Sequence, residues 1–177
     1  MLSAALAVSA MLSSASASTF ERLSLQELNA TSDAVVQIHV VSTEARWDVS
    51  RNLIETFAEV EVSRTLRGEL VTGEIFTIKE VGGSVDSYHQ SAVGFPSLVA
   101  GNELVVFLTH WEQDGSWRIN GYGQGTYRVV TEKGTGKHLL LPGPVQDLPN
   151  VVAFAPEAPV APRMAVDALD ITLDTLK

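Results

Sequence analysis

Four histidines, His39, His89, His110 and His138, are the imidazoles from which a metal site or a general base would have to be drawn. None of them pairs at the i,i+2 or i,i+4 spacing that sets two ligands on one face, and no H-E-x-x-H occurs. His39 and His138 fall in strand-like segments and read as exposed or cross-strand residues. His89 differs, because it lies in a glycine-rich stretch with Ser84, Asp86 and Tyr88. Asp86 and His89, joined by His110, are the set that would gather a metal. With Ser84, Ser87 or Ser91 as nucleophile, Asp86 and His89 would instead make a hydrolytic site. Those serines sit in no G-x-S-x-G elbow, and adjacency along a loop does not build a triad. The expectation is therefore no catalytic residue, no metal and no cofactor, with a hydrolase using the Asp86, His89 and His110 region as the alternative.

Carboxylates, glycines and aromatics offer three more chemistries. Glu55, Glu59 and Glu61 share one strand face, where next-but-one residues stand about 7 Å apart. That separation suits an inverting glycosidase pair, and equally a solvated face. "GYGQG", Gly121 to Gly125, brings to mind a phosphate-binding loop, but its spacing is G-x-G-x-G and a strand, "TYRVV", follows it rather than a helix. It reads as a bending point of a strand, under Trp111 or Trp117. Trp111 and Trp117 flank "EQDGS" at a hairpin tip, where they would stack on a glycan, anchor a protein partner or close the end of a barrel. Tyr88, His89 and Phe95 join them as candidate binding residues. "RGE" at Arg67 to Glu69 is a turn.

The elements that must position these groups are strands. "LSLQELNATSD" opens with Ser24 and Glu27 at capping-box spacing and predicts a short helix with Leu25 and Leu28 on one face. From Asp33 the period becomes two. Val36, Ile38 and Val40 alternate in one strand, and Ile54, Thr56, Ala58, Val60 and Val62 alternate in the next. "IFTIKEV", the nearly all-apolar "ELVVFLTHW", "WRINGY", "TYRVVTE" and "KHLLLP" follow, separated by turns such as "QDGS" and "KGTG". No helix between them is long enough for a parallel crossover, so the sheet is expected to be antiparallel and to close on itself. The stretch Gly82 to Asn102 interrupts this rhythm as a long, glycine-rich loop. "PGPVQDLPNVVAFAPEAPVAPR" holds six of the seven prolines and reads as an extended linker. "MAVDALDITLDTLK" then sets Val166, Leu169, Leu173 and Leu176 on one helical face.

Composition narrows the partners. Twelve basic against twenty-one acidic side chains leave a net charge of −9. Phosphate neutralisation needs clustered Lys and Arg, and there is no basic run, so nucleic acid is not expected as a partner. Cysteine is absent, which removes thiol catalysis and thiolate metal sites together. The first seventeen residues carry no charge and end in Ala15-Ser16-Ala17, an A-x-A-type cleavage site after a short apolar run. The basic residue that usually precedes such a run is missing, and the other reading is a small apolar helix. Export to the periplasm or the medium is the expectation. No later apolar segment reaches the roughly 20 residues of a spanning helix.

"LQELNATSDAVVQIHVVSTEARWD", "TFAEVEVSRTLRGE", "IFTIKEVGG", "GFPSLVAGNELVVFLT" and "NGYGQGTYRVV" together resemble a family of uncharacterised secreted bacterial proteins. That family's pattern is S-D-x-V-V, a strand ending in L-[KR]-G, a G-G after the next strand, and G-x-P-x-x-x-x-G-[ED]-x-V-V-x-F-L. The resemblance runs from about Leu25 to Val130 and implies no activity. More remotely, S-D-x-V-V and L-[KR]-G resemble the netrin-like module shared with the tissue inhibitors of metalloproteinases. That likeness implies an OB-type barrel of five strands in Greek-key order with flanking helices. The N-terminal cysteine through which those inhibitors act is missing here, so their mode of inhibition is not implied.

The expected organisation is a signal peptide at 1–17, an antiparallel OB-like β-barrel at 18–142, a Pro-rich linker at 143–163 and a C-terminal amphipathic helix at 164–177. The expected function is that of an exported, non-catalytic binding or envelope-associated module. Its ligand is an unknown protein or glycan partner; the alternative is the secreted hydrolase.

Overall fold

The computed structural model describes residues 22–144, Gln146 and Met164–Ala165. The expected signal peptide at 1–17 and nearly all of the Pro-rich and terminal segments, with the expected C-terminal helix beyond Ala165, lie outside the described residues. The chain is mainly β, as its period-two patterning predicts.

Helix α1, Leu25–Thr31, starts as predicted. The Ser24 side chain accepts from the Glu27 backbone N–H at 3.2 Å, and the Glu27 carboxylate accepts from Ser24 N–H at 2.7 Å. Seven residues make a helix only with tertiary support. Leu28 supplies it by burying against Val35, Val105, Phe107 and Leu140.

Strands β1 (Ala34–Trp47) and β2 (Ile54–Arg67) form a long antiparallel hairpin. Strand β3 (Ile75–Val81) pairs antiparallel with β2. Strand β6 (Glu103–Trp111) pairs antiparallel with β1 on one edge, and on the other with β7 (Ser116–Ile119) and β8 (Thr126–Thr131). Strands β1, β2, β3, β7 and β6 thus follow one another in a partial ring. The wholly antiparallel sheet expected from sequence is corrected at one point. Strands β3 and β7 run parallel and meet in a single bridge, Ile78 with Trp117. Residues 82–115, which include β6, lie between them, so the hairpin logic that fixes antiparallel neighbours does not govern this pair. Beyond the ring, β8 pairs with β9 (His138–Pro142), which pairs with β10 (Met164–Ala165). Met164 and Ala165 therefore open as a strand, not as the first residues of a helix.

Two apolar layers explain the patterning. Val36, Ile38, Val40, Ala58, Val60, Val62, Ile78, Leu104, Val106 and Leu108 fill the inside of the ring. Val105 and Phe107 point outward beneath α1. Strand β6 is buried on both faces, which is why "LVVFL" shows no alternation. Each such side chain stabilises the fold by roughly 1.5–3 kcal/mol.

Strand β1 carries a bulge at Val41. Val40 faces Val60, whereas Ser42 faces Glu59. The extra residue changes the inward phase from Val36, Ile38 and Val40 to Thr43 and Ala45, opposite Ala58 and Thr56. Polar residues thereby enter the inner surface at the far end of the hairpin.

Two sequence expectations are overturned locally. "GYGQG" is not a strand face but a turn of 3-10 helix, Tyr122–Gly125, between β7 and β8. Gly121 and Tyr122 adopt left-handed φ of 70° and 57°, which ends extended backbone. A Cβ at Gly125 would collide with the Asn120 carbonyl, and one at Gly121 would meet Leu28 and Leu23. The glycines seat the turn against α1 rather than under a tryptophan. The stretch Gly82 to Asn102 also contains structure, a separate hairpin of β4 (Gly83–Val85) and β5 (Tyr88–Gln90). Its two-residue turn sets Asp86 at φ 52°, a conformation that Asp tolerates.

Candidate functional site

A cavity of about 500 Å³ opens at the end of the ring where β1 finishes, β2 begins and β3 ends. Its inner surface comes from Thr43 and Ala45, placed by the bulge, with Thr56 and Glu80 across the hairpin. Gly83, Ser84, His89 and Ser91 form one wall, and Pro96, Ser97, Leu98 and Gln146 form the other. The volume falls in the range of small-ligand pockets, and hydroxyls make up an unusual share of the lining.

Backbone contacts hold the walls. Thr56 donates its hydroxyl to the Gly82 carbonyl at 2.6 Å, and Gln90 accepts the Ile54 N–H at 2.6 Å. A Cβ at Gly83 would lie 2.6 Å from Thr56 Oγ1 and 2.8 Å from Ala45, so the β4–β5 hairpin rests its backbone on β1 and β2. Gln146 fastens the other side. Its amide donates to the carbonyls of Val81 at 2.7 Å and Pro96 at 3.2 Å, and its Oε1 accepts from Ala92 N–H at 3.1 Å. Its own N–H reaches the Phe95 carbonyl at 2.7 Å. The start of the expected linker is thus built into the pocket.

Glu80 is the carboxylate of the lining and only 6% exposed. It stands opposite Thr56 and accepts the Ile119 N–H on Oε1 at 2.9 Å, bridging β3 to β7 where the strands share one backbone pair. Oε2 has no hydrogen-bond partner among the described residues. Burial pushes the carboxyl up to about 7, against the pull of the Ile119 N–H and the Arg118 charge.

At the rim, Ser84 Oγ and His89 Nδ1 approach to 2.9 Å, both side chains exposed. Asp86 occupies the hairpin turn. His110 lies instead against the Trp117 ring at 5.0 Å, with its backbone N–H on the Asp33 carboxylate. Among the described residues no three His, Asp or Glu side chains gather as a metal would require. His39 pairs with Glu103 across β1 and β6 at 3.1 Å, and His138 sits beside Thr131 at 3.4 Å, the cross-strand places expected of them.

The aromatic candidates scatter. Trp117 packs against the inner core and lies edge-on to Phe76 at 6.0 Å. Trp111 belongs to the opposite face of the β6–β7 hairpin, since it pairs with Ser116 while His110 pairs with Trp117. It is 43% exposed, with the Arg118 guanidinium stacked 4.2 Å from its ring centre. The two tryptophans therefore form no common surface. Tyr88 is exposed and meets the edge of Trp47 at 5.4 Å; Phe95 packs on Tyr122 at 4.7 Å. Glu55 is drawn to Lys79 at 2.9 Å, whereas Glu59 and Glu61 are simply exposed.

Sequence reasoning missed Glu80, Thr43, Thr56 as a lining residue, and Gln146. Glu80 had a signal, because it shares the inward phase of "IFTIKEV" with Ile78. Gln146 had none. The fold and site define a mainly β protein with a hydroxyl-rich pocket at one end of a partial strand ring. No family model, curated protein or solved structure matches the chain.

Proposed function

We propose that the chain is an exported, non-catalytic binding module of the OB-like barrel type, and that the pocket around Thr56 and Glu80 is its ligand site. The observation that carries this reading is a walled cavity of about 500 Å³ lined by hydroxyls, with one buried carboxylate. Five strands in a partly open ring, with β1 against β6 and β3 beside β7, fit the OB-type design that the remote resemblance implies. The charge-free first seventeen residues support export, and the net charge of −9 argues against a phosphate backbone as ligand. The ligand is a small polar solute or the polar end of a larger partner.

The test is capture. The mature chain is incubated with concentrated periplasm and medium from its own source and repurified, and small molecules released on denaturation are identified by mass spectrometry. Ser91→Phe should empty the pocket of ligand, whereas Trp111→Ala should leave capture unchanged. Equal recovery from the Ser91→Phe chain would remove the pocket from consideration.

The Ser84–His89 contact favours a second reading, a hydrolase that works at the same rim. There Ser84 is the nucleophile and His89 its base, Asp86 and His110 having other surroundings. Labelling by a fluorophosphonate that disappears in Ser84→Ala would support it; an unlabelled wild-type chain would dispose of it.

A further inference from the structure

We infer that the pocket recognises a primary ammonium group, seated on Glu80 Oε2. The inference rests on the binding-module reading and names the ligand chemistry of that same site. Three observations carry it. Glu80 is buried, and its Oε1 is already committed to the Ile119 N–H, so the carboxylate is fixed in direction. Its Oε2 takes part in no hydrogen bond among the described residues, and Glu80 is part of the cavity wall. The same lining carries uncharged groups that accept hydrogen bonds, the hydroxyls of Thr43, Thr56, Ser91 and Ser97. An ammonium offers three donors and no acceptor, which is the complement of this lining. A carboxylate or phosphate ligand would meet Glu80 as a like charge.

Neighbouring charges are accounted for elsewhere. Lys79 is bound to Glu55 at 2.9 Å and to Asp114 at 3.4 Å. Arg118, on β7, is held by Asp114 at 3.2 Å and by the Trp111 ring. His89 on β5 is the remaining titratable group of the lining; β1, β2 and Gln146 contribute uncharged residues. A cation entering the pocket therefore finds Glu80 without a competing lysine or arginine in the lining.

Binding requires the ionised carboxylate, so it is linked to pH. With its carboxyl near 7, Glu80 is ionised in about a tenth of molecules at pH 6 and nine-tenths at pH 8. Apparent affinity follows that fraction and rises about tenfold over the interval.

The experiment uses amide chemical shifts of the labelled mature chain. Probes are n-butylammonium and trialanine amide with a free amino terminus. Their controls are n-butanol and N-acetylated trialanine amide. The ammonium probes should perturb Thr56, Gly83 and Ser84 at least tenfold more tightly than their controls, with affinity climbing between pH 6 and pH 8. Preference for butylammonium identifies a free amine, and preference for the peptide identifies an amino terminus. Glu80→Gln, whose amide oxygen still accepts from Ile119, should lose the preference, and His89→Asn should keep the pH midpoint. In the wild-type chain alone, saturating ammonium should lower the titration midpoint of the Glu80 carboxyl. Equal binding of the neutral controls, or an unmoved Glu80 midpoint, overturns the inference but leaves the pocket as a site. If neither the probes nor the controls perturb the pocket, and capture yields nothing, both readings fall.

Discussion

Glu80 places a measurable cost in the middle of the fold. Its carboxyl is about 7 in the native state, against 4.5 for the free group, because burial disfavours the charge. The folded chain therefore holds a proton that the unfolded chain has lost over this interval. The resulting stability is present at low pH and is lost as pH rises through about 7. Between pH 5 and pH 8 the difference amounts to about 2–3 kcal/mol, from a carboxyl near 7 against 4.5 and the free-energy equivalent of each pH unit. Glu80→Gln reproduces the neutral form and keeps an acceptor for Ile119 N–H. The assay is urea unfolding of wild type and variant at half-unit steps from pH 5 to pH 8. Groups common to both chains cancel in the difference. The variant's advantage should grow by about 2–3 kcal/mol across the range, with its steepest rise below pH 7. Parallel curves would mean that Glu80 is solvated and ionised throughout, and the account of the pocket's electrostatics would be wrong.

Ser24→Ala removes the hydroxyl that caps α1 and should cost about 1 kcal/mol in a denaturant melt. Phe107→Ala opens a cavity beneath α1, where the ring meets Leu28 and Leu140, and should cost about 3–5 kcal/mol by the same measurement. Trp111→Ala removes an exposed ring under Arg118 and should cost only about 0.5–1 kcal/mol, less than Trp117→Ala, whose ring packs on the core. A reversed order of the two tryptophans in thermal melts would contradict the assignment of their faces.

Strand alternation made most of the fold legible. Ile54, Ala58, Val60 and Val62 are buried in the phase their spacing predicts, and Ser24 with Glu27 marks the helix start to the residue. What was hidden depended on long-range geometry. The parallel contact of Ile78 with Trp117 joins segments whose proximity no local pattern encodes. In the site, His89 and Ser84 were singled out and do meet, but His110 was joined to them on residue type alone and stacks on Trp117 instead. "GYGQG" misled because alternate glycines fit a strand face as well as a tight turn; Tyr122 at positive φ decided between them. Gln146 lies within a Pro-rich segment whose composition suggests a spacer, yet four hydrogen bonds make it part of a wall.

Val41 works as a one-residue change of reading frame in the hairpin. Upstream of it the inward positions spell an apolar core, and downstream they spell Thr43 and Ala45, the surface a ligand would touch. Were the strand to pass Val41 in plain alternation, the next inward letters would be Ser42, Glu44 and Arg46; the unpaired residue keeps Thr43 and Ala45 inward, and excising it would leave them there. The bulge by itself thus decides between a hydroxyl-lined cavity and a charged one, with the same residues in the strand. The apolar upstream half and the hydroxyl-bearing downstream half of one strand therefore share a face only because one residue between them is left unpaired.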